Sequence, residues 1–324
     1  MSLLFLEGFD EYTTAQLGYK YNPQAGTVNQ SSGRFGGNSF SPSGPTAKSI
    51  APSGGLVFGF AMINPTGLML TLSTSTPTTL MSVFFDTSTN IISVRDATNT
   101  AIVSSPGNAV NPTLWTYVEI KIAGWGAGQL VTMHLAGLPI ASGIGNTSAG
   151  GVPPAAYAWQ SGAGTVDDNY WLDTSGTSCN DFAGEARVDT SSVVSNGRVN
   201  QLTGVNAGLQ GNYTCVNDIA PDGDATYVTS GAVGTTGCFA VRTPPVPYVS
   251  VLGVQVNAAV RRDSVGPINV KLGVGNGTAE IYGPAQPAST SYIYVGQVSS
   301  INPLTNVPWT PTDINNLQLA IQVA

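Results

Sequence analysis

The chain has 324 residues, of which 42% are hydrophobic and only 9% charged, with a net charge of -7. At roughly 100 to 200 residues per domain this length predicts two domains. The acidic balance, with no basic run and no strip of aromatics and Arg, excludes a nucleic-acid partner, and no apolar run approaches the ~18 residues of a membrane-spanning helix.

Gly (39) and Pro (21), together with Ser, Thr and Asn, fill positions that charged residues hold in an average domain, so the surface is neutral and hydrogen-bonding. Met1-Ser2-Leu3-Leu4-Phe5-Leu6 is followed at once by Glu7 and Asp10, which breaks the pattern of a signal peptide and places the expected start of the mature chain at or near Met1. Three cysteines, Cys179, Cys215 and Cys238, form no CxxC, and His134 is the one histidine. They read as buried or partly buried thiols rather than a zinc site. A Cys215–Cys238 bridge stays open if their strands are neighbours, and the lack of an export signal weighs against it.

In chain order, Phe5 to Asp10 alternates weakly and Tyr12 to Leu17 makes a short helical turn. Gly33-Arg34-Phe35-Gly36-Gly37-Asn38-Ser39-Phe40 reads as a strand crowded by glycines. Leu56 to Ile63, Leu68 to Leu72, Leu80 to Phe85, Ile91 to Val94 and Ala101 to Val103 are β-branched or aromatic runs separated by turn residues, the spacing of a sandwich. Trp115 to Ile122 has the clearest period of two: Thr116, Val118, Ile120 and Ile122 form the expected core face, and Tyr117, Glu119 and Lys121 the opposite one. Gln129 to Leu135 continues the pattern, with His134 a polar-face strand residue, and Ala136 to Ile140 turns a hairpin. Gly143 to Gly164 reads as a loop whose large residues are Tyr157 and Trp159, and Val166 to Asp173 is the closing strand of the first system.

Four of these segments carry a family resemblance. Leu4 to Asp10, Gly33 to Gly37, Trp115 to Ile120 and Asp167-Asp168-Asn169-Tyr170-Trp171 occur in the order seen in concanavalin-like (laminin-G-like) jelly-roll domains. Leu4 to Thr13, with Asp167-Asp168 and Asn180 to Val188 far downstream, also resembles a group of tailed-bacteriophage virion proteins that carry such a domain at their N-terminus. The resemblance implies an all-β fold of two β-sandwich domains, residues 1–195 a concanavalin-like jelly roll and 196–324 a second sandwich.

In that second part, Asp222-Gly223-Asp224 turns into a strand ending near Val228, and Pro244-Pro245-Val246-Pro247 breaks the chain. Val249 to Val260 alternates, Arg261 to Ser264 turns it, and Ile268 to Val274 returns. Tyr292 to Val298 is another strand, Pro308 to Asn316 a capped helical turn, and Leu317 to Val323 the last strand. The order from Tyr292 to Val323, through Trp309 and Asn315-Asn316-Leu317, also resembles the C-terminal half of those phage proteins.

Chemistry is sparse. Glu7, Glu11, Glu119, Glu185 and Glu280 are scattered, and the strand that carries Glu119 lacks the Glu-x-Asp-x-x-Glu pattern of glycosidases with this fold. No serine sits in a nucleophile elbow, and Gly273-Val274-Gly275-Asn276-Gly277 lacks the following Lys-Ser of a phosphate loop and reads as a hairpin turn. No enzymatic activity and no organic cofactor are expected. Calcium is the metal to weigh, since loop oxygens bind it readily and the resemblance implies it. Its expected ligands are Asp167 and Asp168, near Asp173; Asp218, Asp222 and Asp224 form a second acidic group. The Asn-x-Thr/Ser sequons at Asn146, Asn212 and Asn276 read as chance matches without a secretion route.

The resemblance implies a virion structural protein on the particle surface, assembled in the host cytoplasm as capsid decoration or a tail or fibre component, with other virion proteins and copies of itself as partners. The alternative is a virion-borne adhesin that holds host-surface glycans, with Trp125, Trp159, Trp171 or Trp309 as stacking platforms.

Overall fold

A computed structural model describes residues 3–75, 78–208, 211–244 and 248–324. The chain divides into two compact units, Met1–Val188 and Asp189–Ala324. The division falls before the expected boundary at residue 195 because the strand that begins at Val193 pairs inside the second unit. Most of the expected proline break, Pro245 to Pro247, lies outside the described residues, as do Met1 and Ser2.

The strands of the first unit are β1 (Leu3–Glu7), β2 (Gly26–Asn29), β3 (Ser39–Pro42), β4 (Thr46–Ser49), β5 (Leu56–Ile63), β6 (Gly67–Ser73), β7 (Thr79–Asp86), β8 (Ile91–Asp96), β9 (Ala101–Ser104), β10 (Thr116–Ile122), β11 (Gln129–Leu135), β12 (Leu138–Gly145), β13 (Ala156–Trp159) and β14 (Thr165–Asp173). They form a jelly-roll sandwich of an eight-stranded sheet, in the order β12-β11-β10-β5-β14-β3-β2 with β1 also on β14, and a six-stranded sheet, β4-β13-β6-β7-β8-β9. All the pairings are antiparallel.

The core is an aromatic stack that joins the two sheets. Trp171 of β14 lies flat between Phe58 of β5, at 4.6 Å between ring centroids, and Tyr157 of β13, at 4.0 Å. Trp159 meets Phe60 edge-on at 5.1 Å. The expected loop from Gly143 to Gly164 therefore contains a strand. β13 has only four residues, too few for a visible period of two, yet it sits between β4 and β6 and points Tyr157 and Trp159 into the core. The expected strand at Gly33 to Phe40 begins only at Ser39, because Gly33 N–H bonds to the Gly37 carbonyl and closes a turn, with Gly36 at φ +93.

A buried charge knot closes the β1 side of the core. Glu7 Oε1 accepts from Phe9 N–H, and Oε2 accepts from the hydroxyls of Tyr12 and Tyr21, all at 2.9 Å. Lys20 Nζ lies 2.7 Å from Glu7 and also bonds to Glu11. Burial works against the Lys20 charge, but Glu11 and Glu7 outweigh it and hold its amine above the usual range. The neighbouring Lys48, over the Phe5 ring, is pushed down to about 8 by burial and by Lys20.

The second unit is another sandwich, built on β15 (Val193–Asn200), β16 (Thr203–Val205), β17 (Tyr227–Thr229), β18 (Thr236–Val241), β19 (Val254–Val260), β20 (Asn269–Gly275), β21 (Glu280–Tyr282), β22 (Gln286–Pro287), β23 (Ile293–Ser299), α1 (Pro311–Asn315) and β24 (Gln318–Val323). The main sheet runs β15-β18-β24-β20-β21 with β22 on β20. The expected hairpin from Val249 to Val274 does not form. β19 pairs with β23 instead, and Val256, Val260 and Val295 of that ribbon pack on Val270, Leu272 and Val274 of the main sheet. Thr310 caps α1 as its sequence requires, accepting from Asp313 N–H, and Trp309 is buried beside it with its Nε1 on the Ser299 carbonyl, 3.0 Å away. Cys179, Cys215 and Cys238 are free thiols. Cys215 Sγ lies 3.4 Å from the Val205 carbonyl and Cys238 Sγ 3.5 Å from Glu280 Oε1.

Glu7→Ala removes one of the two carboxylates that hold the buried Lys20 and the acceptor of the Tyr12 and Tyr21 hydroxyls, so it should destabilise the first unit by about 3–5 kcal/mol, read as a lower urea midpoint. The double variant Glu7→Gln with Lys20→Met should lose less than the two single changes together. Trp171→Ala should cost a similar ~3–5 kcal/mol by opening the stack.

Candidate functional site

The residues nominated from sequence gather on the outward face of the eight-stranded sheet, and that face is covered. β10 and β14 flank β5, whose outward positions are small at Gly59 and Ala61. A Cβ on Gly59 would meet the Tyr170 ring at 2.5 Å and the Tyr117 ring at 3.0 Å, so the missing side chain is what lets both phenols lie across the sheet. Above them runs the segment 174–188 that follows β14. Gly184 N–H donates to Glu119 Oε1 at 2.8 Å, where the Tyr170 hydroxyl also donates, and Ala183 N–H bonds to the Tyr170 oxygen at 3.2 Å. Phe182 stacks on His134 at 3.6 Å, Lys121 pairs with Asp181 at 2.9 Å, and Arg34 pairs with Glu185.

Tyr117 and Glu119 lie on the face opposite the core, as their alternation predicts, and the covering segment buries both. His134 keeps its place on that face but lies under Phe182, with Nδ1 at 3.9 Å from Glu119 Oε2. Glu119 is buried and anchors the segment 174–188, a strap over this face, through the Gly184 N–H. Burial is the first cause that raises the phenol pKa values of Tyr117 and Tyr170, with nearby carboxylates and phenols adding to it. Lys121 holds Asp181 below the usual carboxylate range.

Asp167 and Asp168 sit at a bulge in β14, where Asp168 takes φ +50. Asp167 accepts from Asp168 N–H at 2.8 Å and from Arg34 N–H at 2.7 Å, and Asp168 accepts from Val188 N–H at 2.8 Å. These oxygens fasten the Gly33 to Gly37 turn and the end of the segment 174–188. Asp173 is similarly taken by Ser53 and Ser175. Burial opposes its charge, and the donors at Ser53 and Ser175 outweigh that and pull its pKa down to about 2. In the second acidic group, Asp222 bonds Thr226 and Asp224 pairs with Arg261. Among the described residues no three His, Cys, Asp or Glu side chains gather to hold a metal ion. Asp167 is raised to about 8, first by burial and then by the Asp168 charge.

The outward face of the six-stranded sheet, which sequence reading passed over, carries half-buried Thr71, Phe84, Arg95 and Gln160 around the buried Ser82 and Ser93. Tyr157, Leu72 and Met81 align across β13, β6 and β7 with their side chains inward, so their neighbours Ala158, Thr71, Ser82 and Arg95, aligned in the next row, point outward. Phe84 and Ser93 form the row beside it. The Arg95 guanidinium lies 3.9 Å over the Phe84 ring and is held by Ser93 Oγ at 3.0 Å and Asn99 Oδ1 at 3.2 Å. Gln160 Nε2 donates to Thr71 Oγ1 at 3.1 Å. Beyond Gln160 is a shallow depression of about 320 Å³ lined by Thr66, Gly67, Leu68, Gln160, Ser161 and Gly162. The signal was present in the sequence as Ser93 and Arg95 alternating with Ile92 and Val94. Of the expected stacking tryptophans, Trp159, Trp171 and Trp309 are buried, and Trp125 is half-buried with its Nε1 on the Gly54 carbonyl at 2.6 Å.

No protein-family model and no curated protein matches the chain. Among solved structures it is similar to the galectin LEC-6 of Caenorhabditis elegans, at 12% identity over 41% of this chain and 94% of that one, with a TM-score of 0.31. A Bacillus subtilis protein of unknown function with a galectin-like fold matches at 10% identity over 53% and 98%, TM-score 0.34. The carbohydrate-binding module CBM66 from Bacillus subtilis matches at 8% over 46% and 89%, TM-score 0.30.

Asp167 has a raised pKa in the folded state, so the native protein binds more protons than the unfolded chain between about pH 4 and 8, and its contribution to stability is lost as pH rises through that window. Asp167→Asn should therefore gain on the wild type in urea midpoint from pH 4 to pH 8. Phe182→Ala should leave the fold intact and speed hydrogen exchange at the Gly184 amide by roughly tenfold, about 1.4 kcal/mol of local protection.

Proposed function

We propose that the chain is a non-catalytic glycan-binding protein that works from the surface of a tailed-phage particle. The observation that carries the glycan reading is the half-buried group Thr71, Phe84, Arg95 and Gln160, in which a guanidinium is fixed over an aromatic ring beside a hydroxyl and an amide. Arg95 uses two of its N–H donors on Ser93 and Asn99, and the remaining ones suit the paired oxygens of vicinal sugar hydroxyls. The adjoining depression falls at the lower end of the roughly 300–1,000 Å³ range of small-ligand sites. A net charge of -7 disfavours strongly acidic polymers, so a neutral host-surface polysaccharide is the substrate class.

A second reading, a particle building block that acts by packing against its neighbours, is favoured by the composition. With 9% charged residues, copies can meet through backbone and small polar groups without stripping water from charges. The virion placement itself rests on the resemblance in Leu4 to Thr13, Asp167-Asp168 and Asn180 to Val188.

On a glycan array the purified protein should bind neutral polysaccharide, and Arg95→Ala should weaken that binding by tenfold or more, about 1.4 kcal/mol, with the thermal midpoint little changed. Retained affinity in Arg95→Ala and Phe84→Ala would remove this face from the reading. Antibody labelling of purified particles should decorate them, and unlabelled particles would remove the virion placement.

A further inference from the structure

We infer that β12 is a self-association edge, through which two copies of this chain join their eight-stranded sheets antiparallel. β12 ends that sheet and pairs on one side only, with β11, from Gln129↔Gly145 to Leu135↔Leu138. Its other side presents unpaired backbone donors and acceptors, whose chemical complement is another extended strand.

The remaining sheet edges of the first unit are shorter: β2, β4 and β9 have four residues each, and β1, paired with β14 alone among the described strands, has five. β12 has eight, Leu-Pro-Ile-Ala-Ser-Gly-Ile-Gly, and none is charged. The lysines that natural proteins place on exposed edges are missing from it. Pro139 removes a single donor near one end and leaves Ile140 to Gly145 able to pair.

Large apolar side chains are exposed along the same edge. Leu138 is 69% and Ile144 72% exposed, and Leu130, directly across from Ile144, is 46% exposed.

The occupant that fits is a second copy. The chain is acidic as a whole, and an uncharged strand is where two acidic copies meet without repulsion. An antiparallel pair of identical strands is closed by a two-fold axis, so the contact is finite and does not propagate as a filament. With the axis at Ser142, an exposed residue opposite Thr132, Ser142 faces the same residue of the second copy, and Ile144 faces Ile140.

The test uses the full chain in sedimentation velocity, beside three variants. The wild type should sediment as a dimer that dissociates on dilution, and Ile144→Lys, a surface change that leaves the core alone, should weaken the dimer more than tenfold. Under oxidised glutathione Ser142→Cys should give a covalent dimer on a non-reducing gel, whereas the wild type, with its three native thiols, and Ser49→Cys, on the opposite sheet's edge, should not. A wild-type monomer at all concentrations would overturn the inference. So would a dimer that Ile144→Lys leaves intact, or a Ser142→Cys variant that does not cross-link while the wild type is dimeric.

Discussion

The first unit depends on one side chain that the two sheets share. Trp171 stands between Phe58 of its own sheet and Tyr157 of the other, with ring planes within 12° of parallel on both sides. Its indole N–H is met by Asn169, which in turn donates to the Glu7 carbonyl. A strand's side chains alternate, so fixing Trp171 inward fixes Tyr170 outward, and Tyr170 is the platform on which the strap and Glu119 meet. β14 thus sets the core on one face and the covering of the sheet on the other.

A chain with so few charges places several of them where they hold structure. Exposed ion pairs contribute little, about 0–1 kcal/mol, whereas breaking a buried one leaves a stranded charge. Glu7, Glu119, Asp167 and Asp168 are all buried, and each accepts backbone N–H bonds or a phenol in segments without regular strand pairing: the Tyr12 to Tyr21 turn, the Gly33 to Gly37 turn and the strap. Asp167 and Asp168, weighed from sequence as calcium ligands, thus act with Glu7 and Glu119 as clasps that close irregular segments onto the sandwich. The elevated Asp167 pKa follows from that placement: it reflects crowding with Asp168 in a site closed to water.

The two outward faces of the jelly roll are unlike. One is covered by the chain itself, and the polar side chains on it are used internally. On the other, half-buried Arg95, Phe84, Thr71 and Gln160 lie beside a shallow depression, with the buried Ser93 holding Arg95 in place. A binding function has room only where the chain has not already supplied the ligand, so this second face carries the functional reading and the covered face does not.

By itself the sequence determined the all-β class and most strands, because β5 and β7 are apolar and aromatic runs bounded by turn residues and β10 and β11 are long enough to show their period of two. It also determined the capped turn at Thr310, whose Pro and Asp are local signals. Only the tertiary structure decided β13, since four residues flanked by Gly and Pro show no period until Leu72 and Leu70 lie opposite Tyr157 and Trp159. It likewise decided that β19 pairs with β23 rather than β20, a choice between partners of equal local propensity made by burial of Val256 and Val295. The roles of Glu119, His134, Asp167 and Asp168 were decided there too. A period of two says which face a residue is on, and what covers that face comes from residues far along the chain.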